Sequence, residues 1–159
     1  MKNPGPSLFG SSGLVALRLA IGIGLMCHGY ATLFGSEAGT APLAGMLKEK
    51  LGMPQPELMA AVAKWTELVG GAMLALGLLS RLAALVVTIN MIVAVYVHAV
   101  VNSDPFFRGH GSEGGSWELA ALYLAGAFCI LTCGAGKLSV DEIVFGDDEE
   151  TPPGPANAR

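Results

Sequence analysis

Long apolar runs alternate with short polar breaks along the whole chain. Four runs approach the length of about 20 residues that a helix needs to cross a bilayer core of about 30 Å. They cover residues 14–34, 58–79, 82–101 and 117–135, the last being short unless Gly134 and Ala135 are included. Lipid offers no partner to open backbone N–H and C=O groups, so each run is expected as a helix. The pattern predicts an all-α membrane protein, a four-transmembrane-helix bundle. The first run is not read as a secretory signal, because it is too long for a signal core and carries Arg18.

The breaks predict the connections. Ser80-Arg81 reads as a very short turn, making the second and third runs an antiparallel hairpin. Within the longer break 35–57, Leu43, Met46, Leu47 and Leu51 recur at helical spacing among Lys48, Glu49 and Lys50. That pattern predicts a short interfacial helix closed by Gly52-Met53-Pro54. The break 102–116 is Gly-rich, with Phe106-Phe107 as an interface anchor. The expected organisation is an N-terminal segment 1–13, a membrane domain 14–145 and a disordered, acidic, Pro-rich tail 146–159.

Composition agrees with the pattern. Charged residues are 14% of the chain and mean hydropathy is +0.55, against about 25% charged in soluble domains. The net charge of −4 is local, arising from Asp147, Asp148, Glu149 and Glu150. No basic stripe exists, which argues against nucleic acid as a partner. Cys27, Cys129 and Cys133 lie in apolar runs without a ligand-like spacing and read as packing residues. The lysines and arginines differ between the two sides by one residue. Arg81 and Lys137, closest to the membrane, favour both termini on the cytoplasmic side.

Ionisable residues inside a span cost about 2.5–3.5 kcal/mol each on insertion scales and need a reason. At about 1.5 Å per residue, His28, Glu67, His98 and Glu118 fall about 20–26 Å from the terminal side, one from each helix. Lys64 lies near the same level. Arg18, Asn90 and Arg81 are secondary polar positions, and Arg18 and Asn90 fall at other depths. Small residues share the faces: Ala16, Ala20 and Gly24 with His28; Ala60, Ala63, Gly70 and Gly71 with Glu67; Ala94 with His98; Ala121 and Ala125 with Glu118. Such faces point at neighbouring helices, so an inward-facing His/Glu layer is expected. It has the chemistry to bind a metal through His28 and His98, to ligate haem, to relay protons, or to hydrogen-bond a quinone. The bland alternative is helix-packing hydrogen bonds, with Lys64 and Glu67 as a neutralising pair and Glu118 at the interface beside Trp117. His110 reads as a surface histidine.

At these residues the chain resembles the DoxX family of small four-span membrane proteins. The matching pieces run in order: Arg18, His28-Gly29, Leu51-Gly52-Met53-Pro54, Glu67-x-x-Gly70-Gly71, Gly77-Leu78-x-x-Arg81, Asn90-Met91, His98, Glu118, and Gly134-Ala135-Gly136-Lys137-Leu138-Ser139-x-Asp141. The resemblance covers about residues 14–145. Thr32 departs from it, standing where the family often has lysine.

The resemblance implies the membrane part of a redox system in a bacterial cytoplasmic membrane. Quinone is the expected cofactor, with haem or a metal as alternatives, and the bilayer, a soluble redox partner and a second copy are the expected partners. A non-catalytic scaffold anchoring a soluble protein, or a small-molecule permease, are the competing readings. No stand-alone enzymatic activity is assigned.

Overall fold

Residues 8–109, 114–136 and 138–145 are described by a computed structural model. Expectations that fall on residues 1–7, His110, Lys137 and the tail 146–159 lie outside the described residues. Helix α1 is Leu8–Leu33, and α2 is Ala41–Leu51. Next come α3 (Pro56–Leu76) and α4 (Ser80–Val101), then α5 (Glu118–Cys133) and the short α6 (Val140–Phe145). Among the described residues there is no strand.

Ser12–Leu33 of α1, Pro56–Leu76 and Ser80–Val101 are each long and apolar enough to cross a membrane. Helix α5 is apolar but has 16 residues. Their outer faces carry Ile23, Leu58, Val69, Leu82, Ile92 and Leu122, all exposed, as suits a protein surrounded by lipid. Helix α2 forms where the Leu/Met spacing predicts it, with Pro42 in its first turn and Gly52 in left-handed conformation (φ 59°) at its end. Its Ala44 and Leu47 pack against Ala60 of α3.

Helices α1 and α3 run antiparallel with almost no side chain between them. A Cβ placed on Gly22 would lie 2.5 Å from the Gly71 carbonyl oxygen. One on Gly29 would lie 2.6 Å from the Leu68 nitrogen and 2.8 Å from the Lys64 oxygen. Small residues allow such backbone approach, which replaces the hydrophobic drive that lipid removes. The main core then fills the bundle with Leu25, Leu74, Ala84, Val87, Ala127 and Ile130.

The turn between α3 and α4 is not at Ser80-Arg81. It runs through Gly77-Leu78-Leu79, with Gly77 at φ 71° and Leu79 at φ 44°, and Ser80 already opens α4. The reason lies far along the chain. The Asp141 carboxylate accepts the Leu79 N–H (2.6 Å) and the Ser80 N–H (2.8 Å), while its own N–H donates to the Gly77 carbonyl at 2.9 Å. It thereby fills the capping role that a local Ser or Asp usually takes and holds a leucine in a left-handed conformation that costs roughly 1–2 kcal/mol. Ser139 steadies this segment, accepting the Glu142 N–H at 3.2 Å and donating to the Gly136 carbonyl at 2.8 Å. Arg18, only 2% exposed, donates to the Leu138 carbonyl and fills the space over Gly77 that a side chain there would need.

Burial raises the Asp141 pKa, but the N–H groups of Ser80 and Leu79 and the nearby Arg18 cation outweigh it and hold the carboxyl below its ordinary value of 3.8. The folded state thus favours the carboxylate. Its stabilisation is complete above the ordinary value and is lost as pH falls through the lowered one.

Two outcomes are expected from unfolding in mild detergent. Gly29→Val and Gly71→Val should each cost about 1–3 kcal/mol by forcing the helices apart, whereas Gly45→Ala, on open space in α2, should stabilise by up to about 1 kcal/mol. Asp141→Asn should cost about 1 kcal/mol at neutral pH and flatten the acid limb of the stability curve. An unchanged acid limb would exclude Asp141 as its source.

Candidate functional site

A cavity of about 720 Å³ lies between α2, α3, α4 and the end of α1. Its walls are mostly apolar, with Ala31, Leu43, Met46, Met59 and Val93 among them, and its polar lining includes Lys64, Glu67, Asn90, His98 and Asn102. The lining also includes Val62, Val86 and Ile89, which are exposed on the outside of α3 and α4. The cavity therefore opens sideways between these two helices.

Two of the ionisable residues that line the cavity, Glu67 and His98, sit in π-turns. Glu67 lies in Thr66–Gly70 of α3 and His98 in Val97–Val101 of α4. A π-turn inserts an extra residue into the helical ladder and recurs at functional sites. Beside the first, the Asn90 amide crosses from α4 to donate to the Ala63 carbonyl at 3.3 Å.

Glu67 is buried, 7% exposed. Lys64, one turn earlier, donates to its two carboxylate oxygens at 2.8 and 2.9 Å. An unpaired charge at this place would keep its whole desolvation cost, and the pair offsets it.

His98 is held from the loop. Its Nδ1 lies 2.7 Å from Asp104 Oδ2, and the Asp104 N–H returns to the His98 carbonyl at 2.8 Å. The Asp104 pKa is lowered, first by the His98 hydrogen bond and further by His98 and Arg108 charge and by Asn102, against a smaller opposing effect of burial. Gly115 closes over the pair: a Cβ there would lie 2.7 Å from Asp104 Oδ2. Lys50, at the end of α2, donates to Asn102 Oδ1 at 2.7 Å and ties α2 across the cavity rim to the end of α4.

The expected layer divides. The depth estimate places His28 level with Glu67, and its neighbour Gly29 does meet Lys64 and Leu68. Its facing differs. Gly24 and His28 look toward α5, where Gly24 meets the Tyr123 hydroxyl and the His28 ring stands edge-on to Tyr123 at 5.8 Å. His28 is exposed and does not line the cavity. Glu118 heads α5, its N–H bonded to the Phe106 carbonyl at 3.0 Å, and is likewise not in the lining. Asn90, set apart by the depth estimate, is part of it. Arg18 and Arg81 stand at the opposite end of the bundle.

Among the described residues no three His, Cys, Asp or Glu side chains gather closely enough to hold a metal ion, and all three cysteines are free. Asp104 and Asn102 had no sequence signal beyond following the apolar run. Only the turn that brings the Asp104 N–H back to His98 reveals them.

Lys64→Met should leave the Glu67 charge unpaired and cost about 2 kcal/mol, moderated because Lys64 is partly exposed. Adding Glu67→Gln should recover most of the loss. A double variant no more stable than Lys64→Met in thermal unfolding would show that the pair does not carry this energy.

The family model for DoxX matches residues 13–99, more than half of the chain. No curated protein and no solved structure matches it.

Proposed function

The chain belongs to the DoxX family of membrane proteins, and from that premise we propose that it is the membrane subunit of a redox system, handling a quinone in the cavity between α2, α3 and α4. The observation that carries this reading is the cavity itself. It is mostly apolar, within the range of roughly 300–1,000 Å³ usual for small-molecule sites, and its polar lining includes Lys64, Glu67, Asn90 and His98. Its sideways mouth beside Val62 and Ile89 suits a ligand with a polar ring and an apolar tail that arrives from the bilayer.

The residues fit such a group. Lys64 and His98 can hydrogen-bond ring oxygens, and Glu67 and His98 can exchange protons with them. A quinone when bound supplies a two-electron, two-proton couple. The side chains orient the ring, exclude water and hold protons at Glu67 and at the His98 imidazole. Electrons are exchanged with a soluble redox partner. In this reading α5, about 24 Å long at 16 residues, is a short fourth span, ending at Cys133 where Gly134 leaves the helix rather than at the expected residue 135. An even number of spans then leaves both termini on one side, which Arg81 and Lys137 favour as the cytoplasmic one.

A short-chain ubiquinone, presented oxidised and reduced to the full chain in mild detergent, tests this through tryptophan fluorescence. Glu67→Gln and His98→Ala should weaken the tighter-bound form by about tenfold. His28→Ala, away from the cavity, should change it less than about twofold. Absence of binding in well-folded protein would return the chain to the scaffold reading.

A further inference from the structure

The polar groups of the cavity differ in what they still offer. Two bonds of the Lys64 ammonium go to Glu67. The Asn90 amide nitrogen is bonded to the Ala63 carbonyl, which leaves its carbonyl oxygen free to accept. Asn102 Oδ1 is taken by Lys50. His98 has one nitrogen fixed and one unused: Nδ1 meets Asp104, and Nε2 has no partner among the described residues.

A carboxylate accepts hydrogen bonds and donates none, and a neutral imidazole carries one proton. At 2.7 Å from Asp104 Oδ2, that proton must sit on Nδ1, so Nε2 presents a lone pair.

We propose that this cavity takes the hydroxyl-bearing form of its ring ligand, a quinol or phenol, in preference to the quinone or an ether, with His98 Nε2 accepting the hydroxyl proton in a hydrogen bond. The proposal rests on the cavity being a ring-ligand site and names which chemical form it selects. Asp104 is a positioning residue that acts through His98. The Asn90 carbonyl oxygen offers a second acceptor on the same cavity. A site built to accept a hydroxyl disfavours the analogue without it, because the bound ring then covers the acceptor without giving it a partner.

A long-chain 4-alkylphenol and its methyl ether, which need no redox control, test the proposal by calorimetry on the full chain in nanodiscs. The phenol should bind about tenfold tighter than the ether in the wild type. That ratio should shrink in Asp104→Asn and return in Asp104→Glu. Equal affinities would overturn the proposal while leaving the cavity reading intact. Binding of neither probe would overturn both. A measurement that needs no Asp104 variant is ¹⁵N NMR of the histidines at alkaline pH, assigned with His28→Gln and His110→Gln. A His98 proton on Nδ1 supports the proposal, and one on Nε2 overturns it.

Discussion

The bundle is registered by the contact in which α1 and α3 meet backbone to backbone. Gly22 against Gly71, and Gly29 against Lys64 and Leu68, leave no room for either helix to slide or roll. In lipid, where apolar side chains gain little from leaving their surroundings, such close packing is the main source of helix association. The glycines also fix the height of Lys64 and Glu67 in the bundle. With those two placed, the cavity beside them has its polar end. The Leu and Met face of α2 can then cover the other wall.

Burial of charge is the second constraint, and the molecule meets it differently at its two ends. At the cavity end the solution is local: Lys64 and Glu67 lie one turn apart, and a π-turn carries the carboxylate. At the other end it is long-range. Arg18 of α1 lies beside the α3–α4 turn and the segment that follows α5, bonded to Leu138 with Asp141 nearby. The local pair leaves its helix able to face a cavity. The long-range contact instead fixes several helices to one another.

What the sequence revealed follows from which quantities are set locally. Helix existence depends on run length, so the apolar runs marked α1, α3, α4 and α5 to within a few residues, apart from an earlier start for α1 at Leu8. Depth depends on a constant rise per residue, so His28 and Glu67 were matched in height. Facing was less legible because α1 carries two small-residue stripes. Gly22 and Gly29 meet α3, while Gly24 meets Tyr123 of α5, and His28 belongs to the second. The π-turns also change the angular position of residues that follow them, which strict i,i+4 counting ignores. The turn at Gly77 and the partner of His98 were hidden because each is decided by a residue outside its own apolar run, Asp141 and Asp104.

The Asp141 contact has a consequence for biogenesis. A nascent chain enters the membrane from its N-terminus, and α1, α3 and α4 are synthesised long before residue 141. Until that residue leaves the ribosome, the N–H groups of Leu79 and Ser80 lack their carboxylate and Arg18 lacks the Leu138 carbonyl. The early helices can insert and pair through their glycines, but one end of the hairpin stays unlatched. Final closure therefore waits for residue 141, and a chain stalled before Asp141 would present quality-control proteases with an inserted but open bundle.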